Sequence, residues 1–195
     1  MTTYCFVDAS NLFYGGEKSL GWKIDYQKLL KYLKNKYKIS KAYYYAGVEL
    51  CGFPYSVLND KNIDLKQLLK FLIKNKNQNE KIIQRVKFYL KLKSFGYLLN
   101  LKPVKIFKDG NRLVKKANCD VDLTFDLMRY FNKYNNVLIL SGDGDFAIVL
   151  KYLIKKGKKV TILSRGERTA KEIKQLAGKN FKDFNYLREL IRFNK

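Results

Sequence analysis

Four aliphatic residues in a row, Val137-Leu138-Ile139-Leu140, leave no polar position to face solvent. Such a run reads as a short strand buried on both faces, as at the centre of a parallel sheet. Ser141 and Gly142 break it, and Asp143-Gly144-Asp145 follows. Phe146 to Ile154 is long enough for a helix, so both carboxylates sit in a strand-to-helix turn. In open α/β sheets that turn lies at the carboxyl edge, where ligands bind. The same pattern also allows a structural role, with Asp145 capping the helix and Asp143 shaping the turn.

Tyr4 to Asp8 has the same form, an apolar strand ending on a carboxylate. Ala9 to Gly16 reads as a turn running from polar to aromatic residues. Asp25 is placed to cap a helix in which Leu29, Leu30 and Leu33 recur at helical spacing as far as Tyr37. Ala42 to Ala46 predicts a second strand, and Gly47 to Asn59, broken by Gly52 and Pro54, a loop. Leu65, Leu68, Leu69 and Leu72 stripe a helix over Asp64 to Lys74. Asn75 to Glu80 is polar and reads as a linker, and Ile82 to Phe95 as a second lysine-rich helix closed by Gly96. Tyr97 to Phe107 holds strand-like stretches around Pro103. Asp109-Gly110 signals a turn, and Asn111 to Lys116 reads as an exposed basic segment. Val121 to Phe131 predicts a helix. Beyond the central strand and its helix come strands over Lys159 to Leu163 and Phe181 to Phe184, with helices over Thr169 to Ala177 and Tyr186 to Arg192. Strands and helices alternate as one unit over residues 1–195. This predicts an α/β three-layer sandwich, a central parallel sheet flanked by helices.

Composition narrows the chemistry. Hydrophobic residues make up 47% of the 195, enough for a sizeable core. No apolar run reaches the length of a membrane span and no signal-peptide pattern opens the chain, so a cytoplasmic protein without a membrane partner is expected. Cys5, Cys51 and Cys119 are scattered and odd in number, which fits free thiols in a reducing compartment. The chain has no histidine, which removes Ser-His-Asp and Cys-His catalysis and histidine metal ligands. Forty Lys and Arg against 17 Asp and Glu give a net charge of +23, which points to a polyanionic partner. The charges are segregated: residues 60–116 hold 16 Lys or Arg and four acids, whereas residues 117–145 hold five Asp against Arg129 and Lys133. An acidic focus inside a basic protein is the pattern of a metal site in a phosphate-binding surface.

Asp8 and Asp143 end strands that a doubly wound sheet can make neighbours, and Asp120 opens the helix before the central strand. Asp122 and Asp126 are four residues apart and share a helix face. Carboxylates gathered so closely raise one another's pKa unless a cation is present, and oxygen-only ligands favour Mg²⁺ or Mn²⁺. Asp-Gly-Asp does not open an EF-hand, because Ile154 stands where that loop needs Glu. The structural alternatives are an N-cap at Asp120, pairing of Asp122 and Asp126 with Arg129 and solvent, and a turn role for Asn11.

Phe6-Val7-Asp8-Ala9-Ser10-Asn11-Leu12, Lys116 through Asp120, Asp126, and Leu138 through Phe146 resemble the NYN domain, and more closely its LabA-like (DUF88) branch. The resemblance runs from about residue 3 to about residue 187. It implies a PIN-like, Rossmann-like fold and metal-dependent ribonuclease activity. Asp8, Asn11, Asp120, Asp143 and Asp145 match family positions, and Asp126 is a further match. Lys116-Ala117-Asn118-Cys119-Asp120 departs from the Lys-Gly-Val-Asp of many relatives by one extra residue.

The expected function is a Mg²⁺- or Mn²⁺-dependent endoribonuclease acting on single-stranded or structured RNA. Asp8, Asp120, Asp143 and Asp145 would hold the metal and Asn11 would position the phosphate or a water. Asp122, Asp126 and Ser141 are secondary candidates. Arg112, Lys115 and Lys116 are the nearest RNA-backbone contacts, and Tyr14 a candidate for base stacking. The alternative is a non-catalytic RNA-binding regulator of the same fold. A phosphatase on a small substrate fits the basic excess less well. Oligomeric state is left open, with a homodimer among the options.

Overall fold

The structure, a computed structural model, describes the backbone of residues 1–58, 62–75, 80–110 and 112–194, with the side chains of 109, 112 and 113 outside that description. Strand β1 (Thr3–Asp8) leads through α1 (Ala9–Asn11), a π-helical segment (Leu12–Glu17), α2 (Lys18–Leu20) and α3 (Tyr26–Tyr37) into β2 (Ile39–Val48). Helices α4 (Leu65–Lys74) and α5 (Glu80–Phe95) precede β3 (Leu98–Pro103), and β4 (Lys105–Asp109) and β5 (Arg112–Lys116) follow it. The second half runs α6 (Asp120–Arg129), β6 (Asn136–Leu140), α7 (Ala147–Lys155), β7 (Lys159–Ser164), α8 (Lys171–Ala177), β8 (Phe181–Asp183) and α9 (Arg188–Ile191).

Six strands form one parallel sheet in the order β3-β2-β1-β6-β7-β8. The chain builds outward from β1 to β3 on one side, then returns and builds outward from β6 to β8 on the other. A switch point therefore falls between β1 and β6, and a crevice opens there at the carboxyl ends of the strands. The expected sandwich with its central parallel sheet is observed.

All six residues of β1 are buried, because both neighbours and both faces are covered. Cys5 and Val7 face one hydrophobic core, with α3, α4, α5 and α9, while Tyr4 and Phe6 face a second, with α6, α7 and α8. The same alternation explains how Tyr43-Tyr44-Tyr45 is accommodated in β2: Tyr44 enters the first core, Tyr43 and Tyr45 the second. Phe6 stacks on Tyr43 at 5.3 Å between ring centroids, and Tyr43 on Tyr130 at 5.1 Å. Helix caps follow the sequence signals. Asp25 Oδ1 accepts the N–H groups of Gln27 and Lys28, both at 3.0 Å, and Asp64 Oδ1 those of Lys66 and Gln67.

One expectation needs correction, one is sharpened, and one falls outside what is described. Ala9 to Gly16 is helical rather than a turn, because the Asp8 carboxylate caps it by accepting the N–H groups of Ser10 and Asn11 at 2.9 and 3.1 Å. The helical path continues to Leu20 and stops at Gly21, whose φ of 74° favours glycine. In the basic segment read over Asn111 to Lys116, Lys115 and Lys116 are exposed as expected, and Arg112–Lys116 pairs antiparallel with β4 as a hairpin outside the main sheet. The linker read over Asn75 to Glu80 lies mostly at 76–79, outside the described residues. No helix among the described residues is long and apolar enough to cross a membrane.

The hairpin's exit is packed tightly onto the sheet. A Cβ on Gly47 would sit 2.6 Å from Ala117 Cβ and 3.0 Å from Val104 Cγ2. Gly47→Ala is therefore expected to lower stability by about 1–3 kcal/mol through overpacking. Urea unfolding checks this, and an unchanged midpoint would show that Ala117 moves aside freely.

Candidate active site

The switch-point crevice holds a cleft of about 350 Å³ walled by three pieces of chain. Asp8, Ser10, Asn11 and Tyr14 form one wall, Lys116 to Asp120 the second, and Asp143 completes the rim. Asp8 ends β1, and both of its oxygens are engaged. Oδ1 caps α1, and Oδ2 accepts the Ser141 hydroxyl at 3.1 Å. Ser141 Oγ in turn accepts the Asp143 N–H at 3.3 Å, and Asp143 Oδ1 accepts the Asp145 N–H at 3.0 Å. Asn11 Oδ1 accepts the Gly142 N–H at 3.0 Å, locking the two sides of the crevice together. Asp120 opens α6, its N–H held by Asn118 Oδ1 at 2.9 Å.

Three of the chain's carboxylates thus reach one cleft, and their charges oppose one another. Burial raises the Asp120 pKa above its ordinary value of 3.8, and the charges of Asp143 and Asp145 raise it further. Burial also raises Asp8; hydrogen bonds from Asn11 and Ser141 counter this, and the Asp120 charge adds to it. Cys119, on the same wall, has its thiol pushed up to about 12, first by burial and then by neighbouring carboxylates, so it offers no thiolate. The donors are hard oxygens, the chemistry that suits Mg²⁺ or Mn²⁺. Among the described residues, no three Asp, Glu or Cys side chains close into a ready-made ligand cluster.

The other candidates divide. Asp145 is exposed beside Asp143, and its charge is felt at Asp120. Ser141 is buried and bridges Asp8 to the Asp143 turn. Asp122 faces β3, where Lys102 Nζ pairs with it at 2.6 Å. Asp126 is buried on the same helix face but meets the sheet, accepting from Tyr45 OH and Asn100 Nδ2, each at 2.9 Å, with Arg129 at 3.8 Å. Lys116 lines the cleft, whereas Lys115 pairs with the buried Glu49 at 2.8 Å, which also holds Arg85 at 3.0 Å. The side chain of Arg112 lies outside the described residues. Sequence reasoning did not single out Asn118, although an Asn two residues before a helix start is a recognisable Asx-turn signal. Glu49 carries no local signal at all.

The NYN domain profile matches residues 2–184. The chain is 28% identical over 191 residues to the Low amplitude and bright protein LabA of Synechococcus elongatus, covering 95% of this chain and 85% of that protein. In fold it is similar to VPA0982 of Vibrio parahaemolyticus, a protein of unknown function, with a TM-score of 0.66 at 20% identity over 98% of this chain and 96% of that one. A T5 5′-exonuclease structure with divalent zinc bound aligns at a TM-score of 0.49 and 15% identity, covering 89% of this chain and 60% of that one.

The carboxylate repulsion has a measurable sign. A folded-state pKa raised above 3.8 means that Asp120 contributes stability below that value and loses it as pH rises through the folded value. In chelator at neutral pH, Asp120→Asn should therefore melt above wild type, and the gap should close as pH falls below the ordinary carboxylate range. Thermal melts across pH check this; a variant melting below wild type at neutral pH would show that Asp120 is held by favourable contacts instead.

Proposed function

The chain belongs to the NYN domain family, and on that footing we propose that it is a Mg²⁺- or Mn²⁺-dependent endoribonuclease, hydrolysing RNA phosphodiester bonds at the switch-point cleft. The observation that carries this reading is the opposition of the Asp8 and Asp120 charges, with Asp143, in one cleft of a chain with net charge +23. Paired carboxylates destabilise one another at no benefit to folding, and a divalent cation resolves the conflict. Asp8, Asp120 and Asp143 would hold the ion, with Asp145 as a further ligand or an orienter of water. When bound, the ion lowers the pKa of a water and offsets charge developing on the phosphorane-like transition state.

The chain's own groups supply the positioning. Asn11 spends Oδ1 on Gly142, so its amide N–H₂ remains to meet a phosphate oxygen at the wall of the cleft. Ser141 keeps Asp8 oriented toward the Asp143 turn. Lys116 holds a backbone phosphate beside the carboxylates, and Tyr14, largely exposed at the rim, offers a stacking face to an unpaired base. A second reading, an RNA-binding regulator without turnover, is favoured by one observation: among the described residues, no three acids close into a ligand cluster.

Asp143→Asn separates the two readings. In the enzyme, single-turnover cleavage of single-stranded RNA in Mn²⁺ should fall by orders of magnitude, while RNA affinity in EDTA holds or rises slightly. Mn²⁺ should also raise the melting temperature of wild type by mass action and raise that of the variant less. Wild type without metal-dependent cleavage would leave the binding protein, and undiminished cleavage by the variant would place the active site elsewhere.

A further inference from the structure

The loop after β7 carries a cation that the site described above does not use. The Arg165 side chain is only 11% exposed. Its Nη2 donates to Glu167 Oε2 at 2.6 Å, but Nε and Nη1 are buried without a hydrogen-bond partner. A guanidinium stays charged and carries five N–H donors. Leaving such donors dry costs free energy, and buried polar groups are almost always paired. Two nearby carboxylates fail to fill the gap. Glu167 is 75% exposed and takes one nitrogen. Asp183 lies against Gly166, yet its Oδ1 accepts the Asn185 N–H at 2.9 Å and it forms no ion pair with Arg165.

This loop is fastened to the cleft. The Ala170 N–H donates to Gly142 O at 2.9 Å, and a Cβ on Gly142 would sit 2.6 Å from Thr169 Oγ1. Thr169 Oγ1 donates to Arg165 O at 2.7 Å, and Arg168 Nη1 donates to Tyr14 O at 3.1 Å. The loop therefore rests on the turn that presents Asp143 and on the segment that presents Tyr14, both of which line the cleft.

We propose that Arg165 is a phosphate-binding residue of the RNA path, and that Glu167 is a removable cover occupying it in the free protein. The proposal rests on the ribonucleic-acid reading above. A carboxylate on a guanidinium nitrogen occupies the position a phosphate oxygen takes in charge-assisted pairing. An exposed acid leaves such a pair at little cost, whereas the buried cation must keep a counter-charge. An RNA phosphate displaces Glu167 and draws on Nε and Nη1, the two donors held in reserve. Lys116 lines the cleft and Arg165 sits in the loop that rests on Gly142 and Tyr14, so a strand held at Lys116 continues onto that loop.

The test measures binding of fluorescein-labelled oligouridine by anisotropy in EDTA, across salt, with the full chain. Glu167→Gln should bind roughly threefold to tenfold tighter than wild type. Arg165→Gln should bind roughly tenfold weaker, with the log–log salt slope shallower by about 0.7. In the Arg165→Gln background, Glu167→Gln should change nothing. If circular dichroism shows Arg165→Gln unfolded, Arg165→Lys takes its place, keeping the charge but not the fork, and should still weaken binding. Wild-type affinity in Glu167→Gln, or a gain that persists without Arg165, overturns the proposal. Failure of the broader reading looks different, since wild type itself would then bind oligouridine with no salt dependence, and both would fall.

Discussion

A buried carboxylate at the end of β1 governs the surroundings of the cleft. Asp8 is 8% exposed, and an anion so placed must find donors. It finds three: two backbone N–H groups just beyond it and the Ser141 hydroxyl across the crevice. The first two force the chain straight from strand into helix. The third ties β1 to the turn after β6. Asn11, delivered by that helix, repeats the tie through Gly142. The spacing of the two central strands beyond their last ladder bond is thus set by side chains, and Asp8, Asn11 and the Asp143 turn take their places from that lacing.

What was legible in the chain depended on how local its cause is. An apolar run ending in Asp declares both the strand and the position of its carboxylate, so Asp8 and Asp143 could be placed at one edge from residue order alone. Leucine stripes and Asp25 likewise announce helices through neighbours three and four residues away. Asp126 was not legible in the same way. Its partners Tyr45 and Asn100 lie 81 and 26 residues distant, and burial of Tyr45, then the Asp126 charge, pushes its hydroxyl up and keeps it a donor. The shared face of Asp122 and Asp126 was read correctly, but only tertiary packing shows that this face meets β2 and β3 rather than the cleft. The hairpin hid for a related reason: β5 takes its partner from β4 and not from the main sheet, so the central apolar pattern does not announce it.

Gross charge overstates what the protein can offer a polyanion. Glu49 draws Arg85 and Lys115 inward as a pair, and Asp122 engages Lys102. These cations are spent on holding α5, the hairpin and α6 to the ends of β2 and β3. Lys116, next in sequence to Lys115, points its strand neighbour's opposite way and stands at the cleft. Both lysines are exposed, but Lys115 is committed to the Glu49 carboxylate while Lys116 lines the cleft, a division that counting residues in a basic stretch does not reveal.

The bonds that close the cleft also carry a timetable. Asp8 and Ser141 are separated by 133 residues, and Asn11 and Gly142 by 131. Strands β1, β2 and β3 have all their mutual partners within the first 103 residues, so half the sheet can assemble while the rest is still being made. The crevice itself is among the most non-local features of the fold and bears the loop-closure cost of joining the two halves. A chain emerging from the ribosome holds Asp8 and its two local N–H donors long before it holds the Ser141 hydroxyl that ties it across the crevice. Asp8 and Asp143 therefore stay apart until β6 and the turn that follows it have been delivered, while β7 and β8 are still to come.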